Sequence, residues 1–125
     1  MMMIKKHHVI MMHEQLIDAT LGSNLLRDDG MLESALSAPF QSYAGQEAYT
    51  SVIEKAARLC YGLVKDHPFV DGNKRIGIHT ALVFLEINGV KMVYTQDELV
   101  SIVMSLASGE IGYDEILNWM CKHAA

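Results

Sequence analysis

Residues 76–87 read Ile-Gly-Ile-His-Thr-Ala-Leu-Val-Phe-Leu-Glu-Ile, and only His79, Thr80 and Glu86 carry strongly polar side chains. The run ends at Asn88-Gly89, a good C-terminal stop pair for a helix starting near Asn73. A helix that is apolar nearly all round must be enclosed by other elements. This segment therefore asks for a chain that wraps it, and what surrounds it in sequence is mostly helical.

From Thr50 to Lys65, Val52, Ala56, Leu59 and Leu63 recur at the three-to-four spacing of a core-facing stripe, with Ile53 and Cys60 beside it. A first helix is expected from about Val9 to Ala19, with Ile10, Leu16 and Ile17 on one side. Leu26–Pro39 reads as a turn and a short helix, which Asp28 or Asp29 can cap and Pro39 discourages from continuing. Phe40–Tyr49, with three aromatics, reads as a loop or ordered flap. Thr95-Gln-Asp-Glu98 has the form of a capping box and launches a helix through Leu106 that ends at Gly109. A last helix, about Tyr113 to Lys122, turns Ile116, Leu117 and Met120 inward. The expectation is a compact all-α domain, residues 1–125, of about six helices around a central buried helix, with at most a short flap.

Bulk properties narrow the function. With 125 residues, half of them apolar and a fifth charged, the chain supports one globular domain with a real core. A formal net charge of −5 argues against broad binding to a phosphate backbone, which needs a basic face. It leaves room for a nucleotide, which needs only a local patch. The opening MMMIKKHHVIMM lacks the apolar core and cleavage site of a signal peptide. No apolar run approaches the ~18 residues of a membrane span. Cys60 and Cys121 form no CxxC or zinc pattern and fall in apolar helical contexts, so both are expected to be reduced, buried thiols. These features point to a soluble, cytoplasmic protein.

Against that background His67-Pro-Phe-Val-Asp-Gly-Asn-Lys-Arg-Ile-Gly77 is conspicuously polar. It lies at the N-terminus of the central helix, where unsatisfied N–H groups and the helix dipole make an anion site. Gly72 permits unusual backbone angles and removes side-chain bulk. Asn73 can cap the helix or reach a phosphate oxygen. Lys74 and Arg75 add a point charge and a planar fork. Asp71 suits a cation, as when magnesium is shared between one carboxylate and nucleotide phosphates. His67 can exchange a proton near neutral pH and is a candidate general base. A helix end with a cap, a turn glycine and two solvated basic residues also occurs without any ligand. One loop that offers a base, a carboxylate and phosphate donors together is denser than capping requires.

Other candidates are weaker. His7, His8 and His13 crowd the first helix, but no pair stands at i, i+4, and HEQLI, residues 13–17, fails HExxH at Ile17. His79 reads as a packed or partly exposed structural histidine, and the nine methionines as core filler. No serine sits in a GxSxG context.

The nine residues His67 to Arg75 closely resemble the signature of the Fic/Doc family, HxFx(D/N/E)(G/A)NxR. The likeness extends to LLRDDGMLESAL, EKAARLCYGLVKDH and ALVFLEINGV, roughly residues 10 to 110. Members that transfer AMP continue as GNGRxxR, whereas here Lys74 replaces that glycine and Ile78 the second arginine. NKR is the pattern of the Doc branch, toxins of toxin–antitoxin pairs that resemble kinases. The HPFVDGN half is more Fic-like than the most familiar Doc motif. The resemblance implies a Fic-type fold using ATP and Mg²⁺. His67 would be the base, Asp71 the magnesium-positioning or substrate-orienting carboxylate, and Gly72, Asn73, Lys74 and Arg75 the phosphate holders. It further implies transfer of the γ-phosphate to a Thr or Ser hydroxyl, with elongation factor Tu the leading target. AMP transfer and a non-catalytic binding member are the alternatives. The self-inhibitory motif (S/T)xxxE(G/N) of many relatives fails at Lys55, after Thr50 and Glu54. A partner antitoxin docking a helix beside the site is expected instead.

Overall fold

A computed structural model describes residues 1–18 and 22–125. Six helices follow one another: α1 (Lys6–Asp18), α2 (Asp29–Ser37), α3 (Val52–Asp66), α4 (Asn73–Ile87), α5 (Gln96–Ser108) and α6 (Tyr113–His123). A 3-10 turn, Ala38–Phe40, closes α2 with Pro39 near its start. The expected end of the first helix at Ala19 lies outside the described residues.

Side-chain caps set several boundaries. Asp28 accepts from the Met31 N–H at 3.0 Å and starts α2. Ser51 and Glu54 form a reciprocal capping box at α3, and Thr95 and Glu98 form one at α5. Gly109, at φ 86°, ends α5 in the left-handed conformation that glycine adopts freely. The segment expected as a flap is a minimal hairpin of β1 (Ser42–Tyr43) and β2 (Gln46–Glu47), with Ser42 opposite Glu47 and Tyr43 opposite Gln46. Ala44 and Gly45 both take positive φ, the geometry of a tight primed turn. Its base is tied to α3 by Lys55. That ammonium is 2% exposed, pairs with Glu47 Oε1 at 3.1 Å and donates to the Tyr49 carbonyl.

The core centres on two helices. α4 buries Ile76, Ile78, Ala81, Phe84 and Leu85, as its composition requires. α3 packs against α4 and also against α2, α5, α6 and the 3-10 turn, so it touches more of the fold than α4 does. The two approach most closely at Gly77. A Cβ there would lie 2.7 Å from Val64 Cγ2 and 3.3 Å from the Cys60 carbonyl oxygen. No helix among the described residues is long and apolar enough to cross a membrane.

Two expectations need correction. α1 turns Val9, His13 and Ile17 inward, an i, i+4, i+8 ridge, and leaves Ile10 exposed. Cys121 is exposed, because Met120 takes the inward position and the next residue is rotated about 100° round the helix. Leu117 is half-buried and packs against the core, as expected. Cys60 is fully buried and free, and burial pushes its thiol up to about 12, which makes it inert.

Gly77 gives a direct check on the α3–α4 contact. Gly77→Ala gains up to ~1 kcal/mol of helix propensity but adds an overpacking cost of about 1–3 kcal/mol. Because the obstruction is partly backbone, the variant is expected to be net destabilised in urea unfolding. An unchanged or raised midpoint would show that the helices are further apart.

Candidate active site

Residues 67–72 join the two core helices and carry the polar cluster. His67 is the C-terminal cap of α3 in the left-handed region, φ 48° and ψ 56°. That conformation costs a non-glycine residue on the order of 1–3 kcal/mol, so neighbouring contacts must hold it. Arg27 supplies two: its Nε donates to the His67 carbonyl at 2.6 Å and its Nη2 to the Asp66 carbonyl at 3.0 Å. The backbone beside Arg27 completes the support. The N–H groups of Arg27 and Asp28 both donate to the Pro68 carbonyl, and Val70 N–H donates to the Leu25 carbonyl.

Phe69 is 1% exposed and anchors the loop in the core, as expected. Its backbone is held by Asn73. Oδ1 of Asn73 accepts from the Phe69 N–H at 3.0 Å, and Nδ2 donates to the Phe69 carbonyl at 2.9 Å. The same Nδ2 lies 3.2 Å from Nδ1 of His67. The orientation of the Asn73 amide is thus fixed by Phe69, which makes Nδ1 of His67 an acceptor. In the neutral ring the proton therefore sits on Nε2, and His67 accepts a further proton only if the 3.2 Å contact opens or the tautomer exchanges.

The N-cap of α4 is Gly72, φ 79°, with no side-chain cap bond, so Asn73 is the first helical residue and its amide serves the loop. The first intrahelical bond runs from Ile76 N–H to the Gly72 carbonyl. The N–H groups before it belong to the open end of the helix, where an anion is favoured. Asp71 is exposed, and its Oδ1 accepts from the Gly72 N–H at 2.9 Å. Gly22 makes room for this carboxylate, since a Cβ there would stand 2.5 Å from Asp71 Oδ2.

Lys74 and Arg75 are both exposed and neither belongs to an ion pair among the described residues. They point differently. Arg75 stays by the loop, its Nη2 3.6 Å from where a Gly72 Cβ would be. Lys74 leans towards α5, its Nζ 3.8 Å from Met104 Sδ. Both border a cleft of about 340 Å³ whose apolar wall includes Ile78, Leu99, Val100 and Met104.

Beneath the loop lies His13 of α1, 1% exposed. Its ring stacks on Phe69 with centroids 3.7 Å apart, and Nε2 is 2.6 Å from the Asp71 carbonyl oxygen. A carbonyl only accepts, so Nε2 carries the proton. Burial, with a smaller contribution from the Arg75 charge, holds His13 below the usual histidine range despite the opposing bond to Asp71. It is a neutral imidazole at neutral pH.

The structure thus gathers His67, Asp71, Gly72, Asn73, Lys74 and Arg75 at one end of α4. Asn73 faces inward and the others outward. Asp71 is the one carboxylate of the loop, and no group of three or more His, Cys, Asp or Glu side chains converges among the described residues. A hard cation bound by one carboxylate takes its other ligands from water and phosphate. The donor set fits magnesium carried by a polyphosphate and does not form an all-protein cage. Sequence reasoning missed Arg27, whose only signal was its place in the family-like stretch LLRDDGMLESAL, and weighed His13 only as a metal ligand.

Comparison with known proteins agrees with this architecture. Residues 3–85 match the model of the Fic/DOC family. The "Toxin Doc" of Mycolicibacterium smegmatis is 33% identical over 106 residues, 83% of this chain and 82% of that one. The "Protein kinase doc" of Escherichia phage P1 is 30% identical over 113 residues, 90% of this chain and 88% of that one. The chain belongs to the Fic/Doc family.

The Asn73 amide is expected to be a stability determinant. Asn73→Ala leaves both backbone groups of Phe69 without these partners, and each buried unsatisfied group costs about 1–3 kcal/mol. Urea unfolding should show a loss of at least that size. A variant as stable as the wild type would show that the amide does not hold the loop.

Proposed function

We propose that this protein is a Doc-type phosphotransferase that moves the γ-phosphate of ATP to a Ser or Thr hydroxyl of a protein. The observation that carries the reading is the single loop that sets His67, the Asp71 carboxylate, the open N-terminus of α4 and Arg75 side by side. Phosphoryl transfer needs little covalent chemistry from a protein. It needs the polyphosphate positioned, its charge neutralised and the attacking hydroxyl deprotonated or oriented. The backbone N–H groups that follow Gly72 and the Arg75 fork suit the phosphates, with Lys74 adding positive charge. Asp71 suits magnesium bound with the nucleotide, which would supply charge neutralisation between phosphate oxygens. His67 suits the hydroxyl once its Nδ1 contact to Asn73 opens or its tautomer exchanges.

The names of the two relatives support the same direction, one a toxin and the other a protein kinase. Together with the Doc-like motif of residues 67–75, this makes the protein a toxin of a toxin–antitoxin pair acting in the cytoplasm. Elongation factor Tu is the leading target, arrested translation is the outcome, and an antitoxin whose helix docks near the site is the silencing partner. AMP transfer is the second reading, and the pose of Lys74 is what favours keeping it. With its ammonium against Met104, the Lys74 side chain leans away from the loop, and Arg75 is the cation that stays beside Gly72.

Labelled ATP separates the readings. Wild type and His67→Ala are incubated with Mg²⁺, elongation factor Tu and ATP labelled at the α or the γ phosphate. Label is expected to pass from the γ position only, and to fall by about 10²-fold or more in the variant, the usual worth of a general base. Transfer from the α position would replace the kinase reading by the nucleotidyl one. No transfer to elongation factor Tu or to any protein of a bacterial lysate would overturn both.

A further inference from the structure

The loop that carries the chemistry rests on a side chain that makes no use of its own reactivity. His13 and Ile17 stand one turn apart on α1 and form the floor under Asp71 and Gly72. A Cβ on Gly72 would meet Ile17 Cδ1 at 2.8 Å and His13 Nε2 at 3.3 Å. The Nε2–H of His13 donates to the Asp71 carbonyl at 2.6 Å, across 58 residues of sequence.

The consequence follows from the planarity of the peptide bond. In a trans peptide the carbonyl and the N–H point to opposite sides. Drawing the Asp71 carbonyl down towards α1 therefore turns the Gly72 N–H up and away from it. That N–H donates to the Asp71 carboxylate at 2.9 Å, and the other oxygen of this carboxylate lies against Gly22. One part-buried hydrogen bond thus decides which way the Gly72 N–H points and where the carboxylate it meets lies. Without it the Asp71–Gly72 peptide would bury an unpaired carbonyl, and rotation towards water would relieve this cost.

We propose that His13 is a positioning residue of the phosphate loop: its Nε2–H, by holding the Asp71 carbonyl inward, turns the Gly72 N–H onto the Asp71 carboxylate and so sets where that carboxylate meets the cation of a bound polyphosphate. The proposal rests on the phosphotransferase reading for its functional half and on the geometry alone for its structural half. It distinguishes a hydrogen-bonding role from a packing role, because His13 does both, donating to Asp71 and stacking on Phe69.

Two substitutions separate those roles. His13→Gln keeps an N–H donor the same number of bonds from Cα but loses the ring. His13→Phe keeps a ring to stack on Phe69 but has no donor. Folding of each is confirmed first by thermal unfolding. Then ¹⁵N-labelled protein reports the Gly72 amide resonance and, in the wild type, the tautomer of His13. Mg·ATP affinity by calorimetry and γ-label transfer follow. His13 of the wild type is expected as the Nε2–H tautomer with slow proton exchange. His13→Gln should keep the Gly72 resonance near its wild-type position and transfer within about threefold, while His13→Phe shifts the resonance and loses about tenfold or more in transfer, a typical effect of a slightly misplaced site.

A wild-type Nδ1–H tautomer would overturn the proposal whether or not either variant folds. So would His13→Phe behaving as wild type, or His13→Gln being the more impaired of the two, since packing would then be the role. Should the wild type neither bind Mg·ATP nor transfer label, the phosphotransferase reading falls. The tautomer and the Gly72 resonance still decide whether His13 sets the loop.

Discussion

The α3–α4 contact constrains everything else in this fold. Val64, Cys60 and Leu63 of α3 close over Gly77 of α4 so tightly that a methyl group at Gly77 would collide. With both helices fixed, residues 67–72 are all the chain has for turning from one axis to the other. A short turn between buried helices cannot satisfy its own backbone polar groups, so partners must be brought to it. His67 is left-handed and Gly72 is left-handed because the turn has no room for gentler angles. The polarity of the segment is thus partly a structural necessity.

Each polar group of the loop falls on one side of a division. The Asn73 amide, the Asp71 carbonyl and the carbonyls of Asp66, His67 and Pro68 are directed at the protein. They are answered by Phe69, His13 and Arg27 with its neighbouring backbone. The His67 ring, the Asp71 carboxylate, Lys74 and Arg75 are directed outward. A net hydrogen bond contributes only about 0.5–1.5 kcal/mol, but leaving the buried Phe69 N–H or carbonyl unmade costs more than making it gains. The inward set therefore acts by exclusion. It removes alternative backbone conformations of the loop, and the outward side chains are left on one face.

Local chemistry wrote most of the fold plainly enough to read. Caps at Asp28 and Thr95, the stop at Gly109 and the apolar run of α4 depend on residues within a turn or two of one another. What could not be read was whatever depends on distant partners. His13 counts as polar in any periodicity, so the spacing points to Ile10, Leu16 and Ile17, where the fold buries Val9, His13 and Ile17. Only Phe69 and Asp71, far along the chain, make a buried histidine acceptable there. Lys55 has the same character, a cation in a core position made tolerable by Glu47 and the Tyr49 carbonyl. The outward site residues were legible because their spacing is local. Their supports, Arg27 and His13, come from a separate part of the chain, residues 13–28.

That origin changes how the site should be understood. The motif residues supply chemistry, while α1 and the turn before α2 supply direction, so the reactive loop is a joint product of two segments that meet only on folding. The pose of Lys74 belongs to the same argument. Its ammonium leans on Met104 through a weak sulfur contact at the rim of the α4–α5 cleft, and an exposed lysine exchanges rotamers freely. A side chain so loosely held cannot discriminate between nucleotide poses by bulk alone. Its charge, by contrast, remains near the α4 N-terminus in every rotamer. Discrimination through Lys74 would therefore be electrostatic, favouring whichever pose brings the most negative charge beside Arg75 and the Gly72 N–H, and the terminal phosphate of ATP carries more charge than the bridged α-phosphate.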